Sequence, residues 1–232
     1  MKKYVIILAL VLFAAPSFSQ NAEDIIEKFK DKITNNDSVH VNSWKLSGKI
    51  KAGQRENPFN YYFRKPDRYR MDRPIRGMKA VFVVRDTAAY RGYMERVYEI
   101  TENERLEIIR MATFVDVLMT NFLRDSLDVS YSGEEEVNGE PAYVLEAVTL
   151  DGHKDKYYFS KKDYTLLKRI EQTYATGIPE ETDVYFKDYK RVEGYLVPQT
   201  VEIYVDGNLS TVKFNLLDPH FPLTDGVFGN PY

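Results

Sequence analysis

From Ser43 onward, apolar and polar side chains alternate in short runs. Trp44, Leu46 and Ile50 alternate with Lys45, Ser47, Lys49 and Lys51. Phe59, Tyr61 and Phe63 alternate with Asn60, Tyr62 and Arg64. A period of two predicts strands with one covered face. Further strand-like runs lie at 68–73, 79–85, 87–93, 95–100, 141–148, 154–160, 165–173, 181–189, 194–204 and 208–216. The pairs Asn138-Gly139, Asp151-Gly152 and Asp206-Gly207 fall between such runs. They supply the positive φ that two-residue hairpins need, so antiparallel neighbours are expected. A meander of many hairpins either closes or curls around something.

Two segments follow a longer period. In residues 22–33, Ile25, Ile26, Phe29 and Ile33 share one helical face, with Asn21 as N-cap and Glu23 and Asp24 in the first turn. Asn35-Asn36-Asp37 ends that helix. Between Arg105 and Asp125, Met111, Phe114, Val115, Leu118 and Phe122 fit helical spacing, and Val117, Met119 and Leu123 widen the apolar face. A helix this apolar must be covered, so it is expected across or inside the curled sheet.

The N-terminus reads as an address. Lys2 and Lys3 precede the apolar run Val5–Ala15, which is 11 residues long. A spanning helix needs about 20. Pro16-Ser17-Phe18-Ser19-Gln20 then suits cleavage after Ser19. Residues 1–19 are expected to be a secretory signal and 20–232 a single domain. No linker or internal repeat divides the chain.

Charge and composition narrow the function. The formal charge is −3, and −5 once Lys2 and Lys3 are cleaved away, so no nucleic-acid partner is expected. Cysteine is absent, which excludes disulfide scaffolds, Cys-liganded metals, thiol catalysis and a cysteine-anchored lipid. Aromatic residues make up 14% of the chain, enough to pack a large sheet or line an apolar cavity. The histidines are His40, His153 and His220. No H-E-x-x-H, G-x-S-x-G, P-loop or G-x-G-x-x-G pattern occurs. Asp151, His153 and Asp155 could form a small metal site, but alternating charges at a hairpin tip are more often solvated. Glu134-Glu135-Glu136 reads as a solvated strand end. No cofactor and no catalytic residue is expected.

One motif is more distinctive: Tyr61-Tyr62-Phe63-Arg64-Lys65-Pro66-Asp67-Arg68-Tyr69-Arg70. Read from the residues alone, it is two strands joined at Lys65-Pro66-Asp67, with basic side chains facing water. Its place after a signal, an amphipathic helix and a first strand resembles the LolA-like periplasmic lipoprotein carriers and their LolB-like and mycobacterial relatives. Tyr157–Lys168, Asp188-Tyr189-Lys190-Arg191-Val192-Glu193-Gly194-Tyr195-Leu196-Val197-Pro198 and Phe228-Gly229-Asn230-Pro231 resemble further segments of that family. The likeness spans nearly the whole chain after Ser19.

The resemblance implies an α+β fold: an incomplete, curled and open antiparallel β-barrel with helices covering its concave apolar face. It implies a soluble periplasmic carrier that takes up acyl chains and sorts lipoproteins to the outer membrane. Its partners would be acylated lipoproteins or other amphiphilic lipids, with an inner-membrane donor and an outer-membrane acceptor, and it would act as a monomer and not as an enzyme. Lys65 and Tyr69 stand where such carriers have Arg and Phe; lysine keeps the charge but lacks the planar fork. Candidate ligand-binding residues are Trp44, Leu46, Phe63, Lys65, Tyr69, Met71, Phe82, Tyr90, Phe114, Leu118, Phe122 and Tyr143, with the Met111–Leu123 helix as a movable cover. Two other readings are an envelope hydrolase or metal enzyme using His153 and its acidic neighbours, and an integral outer-membrane barrel. The apolar 111–123 helix and Glu181, Asp183, Lys187 and Lys190 speak against the barrel.

Overall fold

The computed structural model describes residues 21–35, 42–65, 68–85, 88–101, 105, 126–149, 152, 154–173 and 180–229. Its helix α1 spans Ala22–Thr34. The Asn21 side chain accepts from the Glu23 amide at 3.2 Å, and Asn35 closes the helix in the left-handed region at φ 59°. Ile25, Phe29 and Ile33 are sealed from solvent, as their spacing predicts, while Ile26 is half-buried.

The strands are β1 (Ser43–Ala52), β2 (Arg55–Arg64), β3 (Arg68–Ile75), β4 (Met78–Arg85), β5 (Ala88–Tyr93) and β6 (Arg96–Glu99). A second series comprises β7 (Ser126–Val137), β8 (Glu140–Thr149), β9 (Lys154–Ser160), β10 (Leu166–Thr173), β11 (Glu180–Val192), β12 (Tyr195–Val205) and β13 (Asn208–Asp218). They form one antiparallel sheet in the order β6-β5-β4-β3-β2-β1-β13-β12-β11-β10-β9-β8-β7. Two consecutive meanders are thus joined through the β1–β13 pair, and β6 and β7 are the edges. The sheet is curled but not closed. The expected turns at Asn138-Gly139 and Asp206-Gly207 are two-residue hairpins with positive φ at both positions.

One buried core unites α1 with residues from both halves, from Val84 and Ala89 on β4 and β5 to Leu145, Ala147, Tyr157 and Phe159 on β8 and β9. The face lining this core is the concave one, and Phe29 of α1 meets Phe159 edge-on, 5.3 Å between ring centres. Smaller clusters lie on the other face: Val81 and Val83 with Leu223 and Phe228, and Ala142 and Val144 with Tyr158. Among the described residues α1 is the one α-helix longer than a single residue, so a set of covering helices is only partly seen; the 105–125 segment, expected to be helical, lies, but for Arg105, outside the described residues.

Strand β7 is absent from the sequence-predicted runs. It is an edge strand with register shifts after Ser126 and Tyr131, and most of its described side chains touch water. An exposed, bulged edge lacks the alternation that reveals a half-buried strand. Glu134, Glu135 and Glu136 are exposed there, at the expected solvated strand end.

Candidate ligand-binding face

Register alone aligns six of the nine sequence-predicted residues that are described. Trp44 on β1 opposes Phe63 on β2, Phe63 opposes Tyr69 on β3, and Tyr69 opposes Val84 on β4. A second row runs Leu46, Tyr61, Met71 and Phe82. Two residues separate the rows on each strand, so both point to the same concave face. All but Phe82 in these rows are almost fully buried. Phe63 and Tyr69 are 5.1 Å apart between ring centres, and Trp44 meets Tyr195 edge-on at 5.4 Å. The Trp44 indole N–H is buried without a hydrogen-bond partner among the described residues.

Tyr143 joins this face from the other half. It opposes Phe159, stacks on Tyr164 at 5.8 Å and lies under the Lys161 ammonium. Burial, then the neighbouring Tyr164, raises its hydroxyl above the ordinary tyrosine value. Tyr90 is placed differently. It opposes Val83, so it stands on the convex face with Val81 and Val83. The near-uniform small and polar pattern of β5 hides this parity in the sequence. Lys65 follows β2 in a turn, half-buried, with its amide donating to the Asn42 carbonyl at 2.9 Å. Phe114, Leu118 and Phe122 lie outside the described residues.

The concave face also holds charge, which sequence reasoning missed. Arg169 on β10 is 3% exposed and lies between Asp155 at 3.1 Å and Glu171 at 3.2 Å, with its guanidinium 5.4 Å from the Tyr157 ring centre. The second Asp155 oxygen accepts from the Gln172 amide at 3.3 Å. Burial works against the Arg169 charge, but Glu171, Tyr157 and Asp155 outweigh it and hold the group firmly protonated. Asp155 is the described member of the Asp151, His153, Asp155 trio; its carboxylate is committed to Arg169 rather than solvated at a hairpin tip. Asp151 and His153 lie outside the described residues. The available signal was parity: Asp155 shares a face with Tyr157 and Phe159.

The basic motif acts on the convex face. Arg64, Arg68 and Arg70 share one parity and hold the C-terminal segment 219–229 as a strap. Arg64 donates to the Leu223 carbonyl at 2.8 Å, and Arg70 to the Val227 carbonyl at 3.0 Å. Arg64 and Arg68 both pair with one Asp225 oxygen. Arg70 also forks onto Asp72 at 2.7 and 3.2 Å. Beneath the strap, Leu223 and Phe228 pack on Val81 and Val83, and the Arg64 guanidinium lies 5.4 Å from the Phe228 ring centre. These arginines do not simply face water as the pattern alone suggests.

No protein-family model matches the sequence, and no curated protein matches it. Solved structures of similar shape do exist. A LolA superfamily protein from Nitrosomonas europaea is 14% identical, with a TM-score of 0.63, over 90% of this chain and 98% of its own. A DUF1329 family protein from Desulfovibrio piger is 15% identical, with a TM-score of 0.63, over 89% and 95%. A domain from Vibrio parahaemolyticus, assigned by name to outer membrane lipoprotein sorting, is 15% identical, with a TM-score of 0.55, over 90% and 97%.

Proposed function

Since the chain has a LolA-like fold, we propose that it is a carrier of acylated lipoproteins or similar amphiphiles in the bacterial envelope. The observation that carries this reading is the pair of aligned apolar rows, Trp44-Phe63-Tyr69-Val84 and Leu46-Tyr61-Met71-Phe82, on the concave face of an open sheet. Each acyl CH₂ moved from water onto such a surface contributes about 0.8 kcal/mol, so one or two chains bind without any catalytic group. The Trp44 N–H, without a partner among the described residues, offers a donor to an ester or amide carbonyl at the head of a chain. The sorting role named for the Vibrio domain fits cargo of this kind. In this reading residues 1–19 direct export and are removed, and the protein works in the periplasm between a donor and an acceptor membrane. The 111–123 segment, with Phe114, Leu118 and Phe122, covers the concavity and moves aside for cargo. Among the described residues no helix is long and apolar enough to cross a membrane.

Trp44 is the only tryptophan, so its fluorescence reports on this face alone. Titration with a brominated fatty acid or a brominated acyl-peptide is expected to quench Trp44 saturably. Mass spectrometry of gently purified protein is expected to find bound lipid. Well-folded protein that shows neither quenching nor bound lipid overturns the reading.

A further inference from the structure

Antiparallel pairing sends successive turns to opposite ends of the sheet. One end gathers the Gly53-Gln54, Arg76-Gly77, Met94-Glu95 and Asp206-Gly207 tips. Five apolar side chains stand out there: Met78 is 38% exposed, Met94 60%, Val97 41%, Val205 38% and Leu209 42%. Hairpin tips of a water-facing end are expected to be polar.

Met94 departs furthest from that expectation. It occupies a two-residue hairpin with φ 50°, followed by Glu95 at φ 60°, where Asn-Gly would fit without strain. Positive φ is rare for a bulky side chain and, when seen, points to a local demand. The charge at this end is equally uneven. Around the first three tips Lys51, Arg55, Arg76, Lys79 and Arg96 are exposed, against exposed Glu95, while Glu56 is engaged by Lys49; exposed Asp206 and Glu181 stand together at the fourth. The whole chain is negative at −3, so these three tips form a cationic patch on an acidic protein.

We propose that this end of the sheet docks on an anionic lipid surface, its methionine and valine tips entering the headgroup layer and its arginines and lysines resting on lipid phosphates. Protruding apolar side chains flanked by Lys and Arg are the composition of interfacial membrane contacts. A protein partner is less well matched, because the apolar tips stand on separate hairpins and do not form the contiguous desolvated cluster of a protein hot spot. Docking of this kind is independent of cargo; that a carrier meets its membrane through this end rests on the carrier reading.

The test is sedimentation of the purified protein with vesicles of phosphatidylethanolamine and phosphatidylglycerol, compared with phosphatidylcholine alone. The anionic vesicles are expected to retain it and the neutral ones not. About 0.5 M NaCl, or the double reversal R76E/K79E, is expected to weaken retention about tenfold or more. Met94→Ser with Met78→Ser is expected to weaken it in low salt while leaving Trp44 quenching by acyl probes unchanged. No retention on anionic vesicles overturns the proposal. So does retention that all four substitutions leave intact. So does loss of an acidic protein partner, and not of vesicles, in R76E/K79E. Absent acyl quenching with intact vesicle binding would remove the carrier reading and leave the docking surface standing.

Discussion

Arg169 and Asp155 form an ion pair across β9 and β10 that is sealed from water, Nη2 to Oδ2 3.1 Å, on the concave face of the sheet. Removing one partner of such a pair leaves an uncompensated charge and costs about 3–5 kcal/mol. Glu171 remains beside Arg169 at 3.2 Å, which places Asp155→Ala at the lower end of that range. Thermal unfolding should show its melting temperature reduced by roughly 10 °C. Replacing Asp155, Arg169 and Glu171 together by Leu, Met and Met, so that no charge of the cluster is left without its partner, should recover most of the loss. An Asp155→Ala protein as stable as the parent would show that the pair does not hold β9 to β10.

Gly48 marks the seam between the two meanders. The β1–β13 register shifts between Ser47 and Gly48. A Cβ at Gly48 would collide with the Lys213 carbonyl oxygen and come within 2.9 Å of the Phe59 ring. The first obstacle is backbone and cannot rotate away, so β13 itself must move. Gly48→Ala should destabilise by about 2–3 kcal/mol, the range of core overpacking. A urea titration should show a lower midpoint with an unchanged slope.

Legibility in the sequence followed burial on one face only. Trp44, Leu46, Phe59, Tyr61 and Phe63 alternate because the concave side is covered and the other side partly wet, and their strands were readable. β7 was not, since it is exposed and bulged. The β1–β13 pair joins residues far apart in sequence, such as Gly48 and Phe214, and no local pattern encodes such a join. The basic motif was visible, but its partner was not: Phe221, Leu223, Val227 and Phe228 follow no strand or helix period, so nothing predicted a strap beneath Arg64 and Arg70. Tyr90 shows the limit of parity. In Ala88-Ala89-Tyr90-Arg91-Gly92-Tyr93 a shift of one residue changes the face, and only pairing with Val83 decides it.

The strap should be acid-sensitive. Hydrogen bonding and attraction from Arg64, then Arg68, hold the Asp225 carboxyl below its ordinary 3.8. A depressed carboxyl stabilises the bound strap fully above pH 3.8, and that contribution fades as pH falls through the lower folded value. NMR signals of Gly226 and Gly229 should therefore move toward unfolded positions in this acid range, ahead of the α1 core. Asp225→Asn should loosen the same segment at neutral pH. Strap signals that shift only together with the core would show that Asp225 does not anchor it.

At the alkaline extreme the buried tyrosines should decide stability. Burial, then Glu135, pushes the Tyr158 hydroxyl up from 10.0 to about 12. Burial also carries Tyr157 and Tyr189 well above the ordinary range, with Tyr189 donating to the Leu166 carbonyl at 2.8 Å. A raised acid binds its proton more tightly in the folded state, so these hydroxyls favour folding fully below pH 10 and lose that effect as pH climbs toward 12. Tyrosinate absorbance should rise in two stages: a reversible one from exposed tyrosines near pH 10, then a steep one coincident with loss of the folded circular dichroism signal. Tyr158→Phe should soften the alkaline decline and leave the neutral-pH melting temperature close to the parent, since its ring still packs with Ala142 and Val144. If all 18 tyrosines titrated in a single step near pH 10 while the protein stayed folded, the concave and convex clusters would have to be far wetter than their packing indicates.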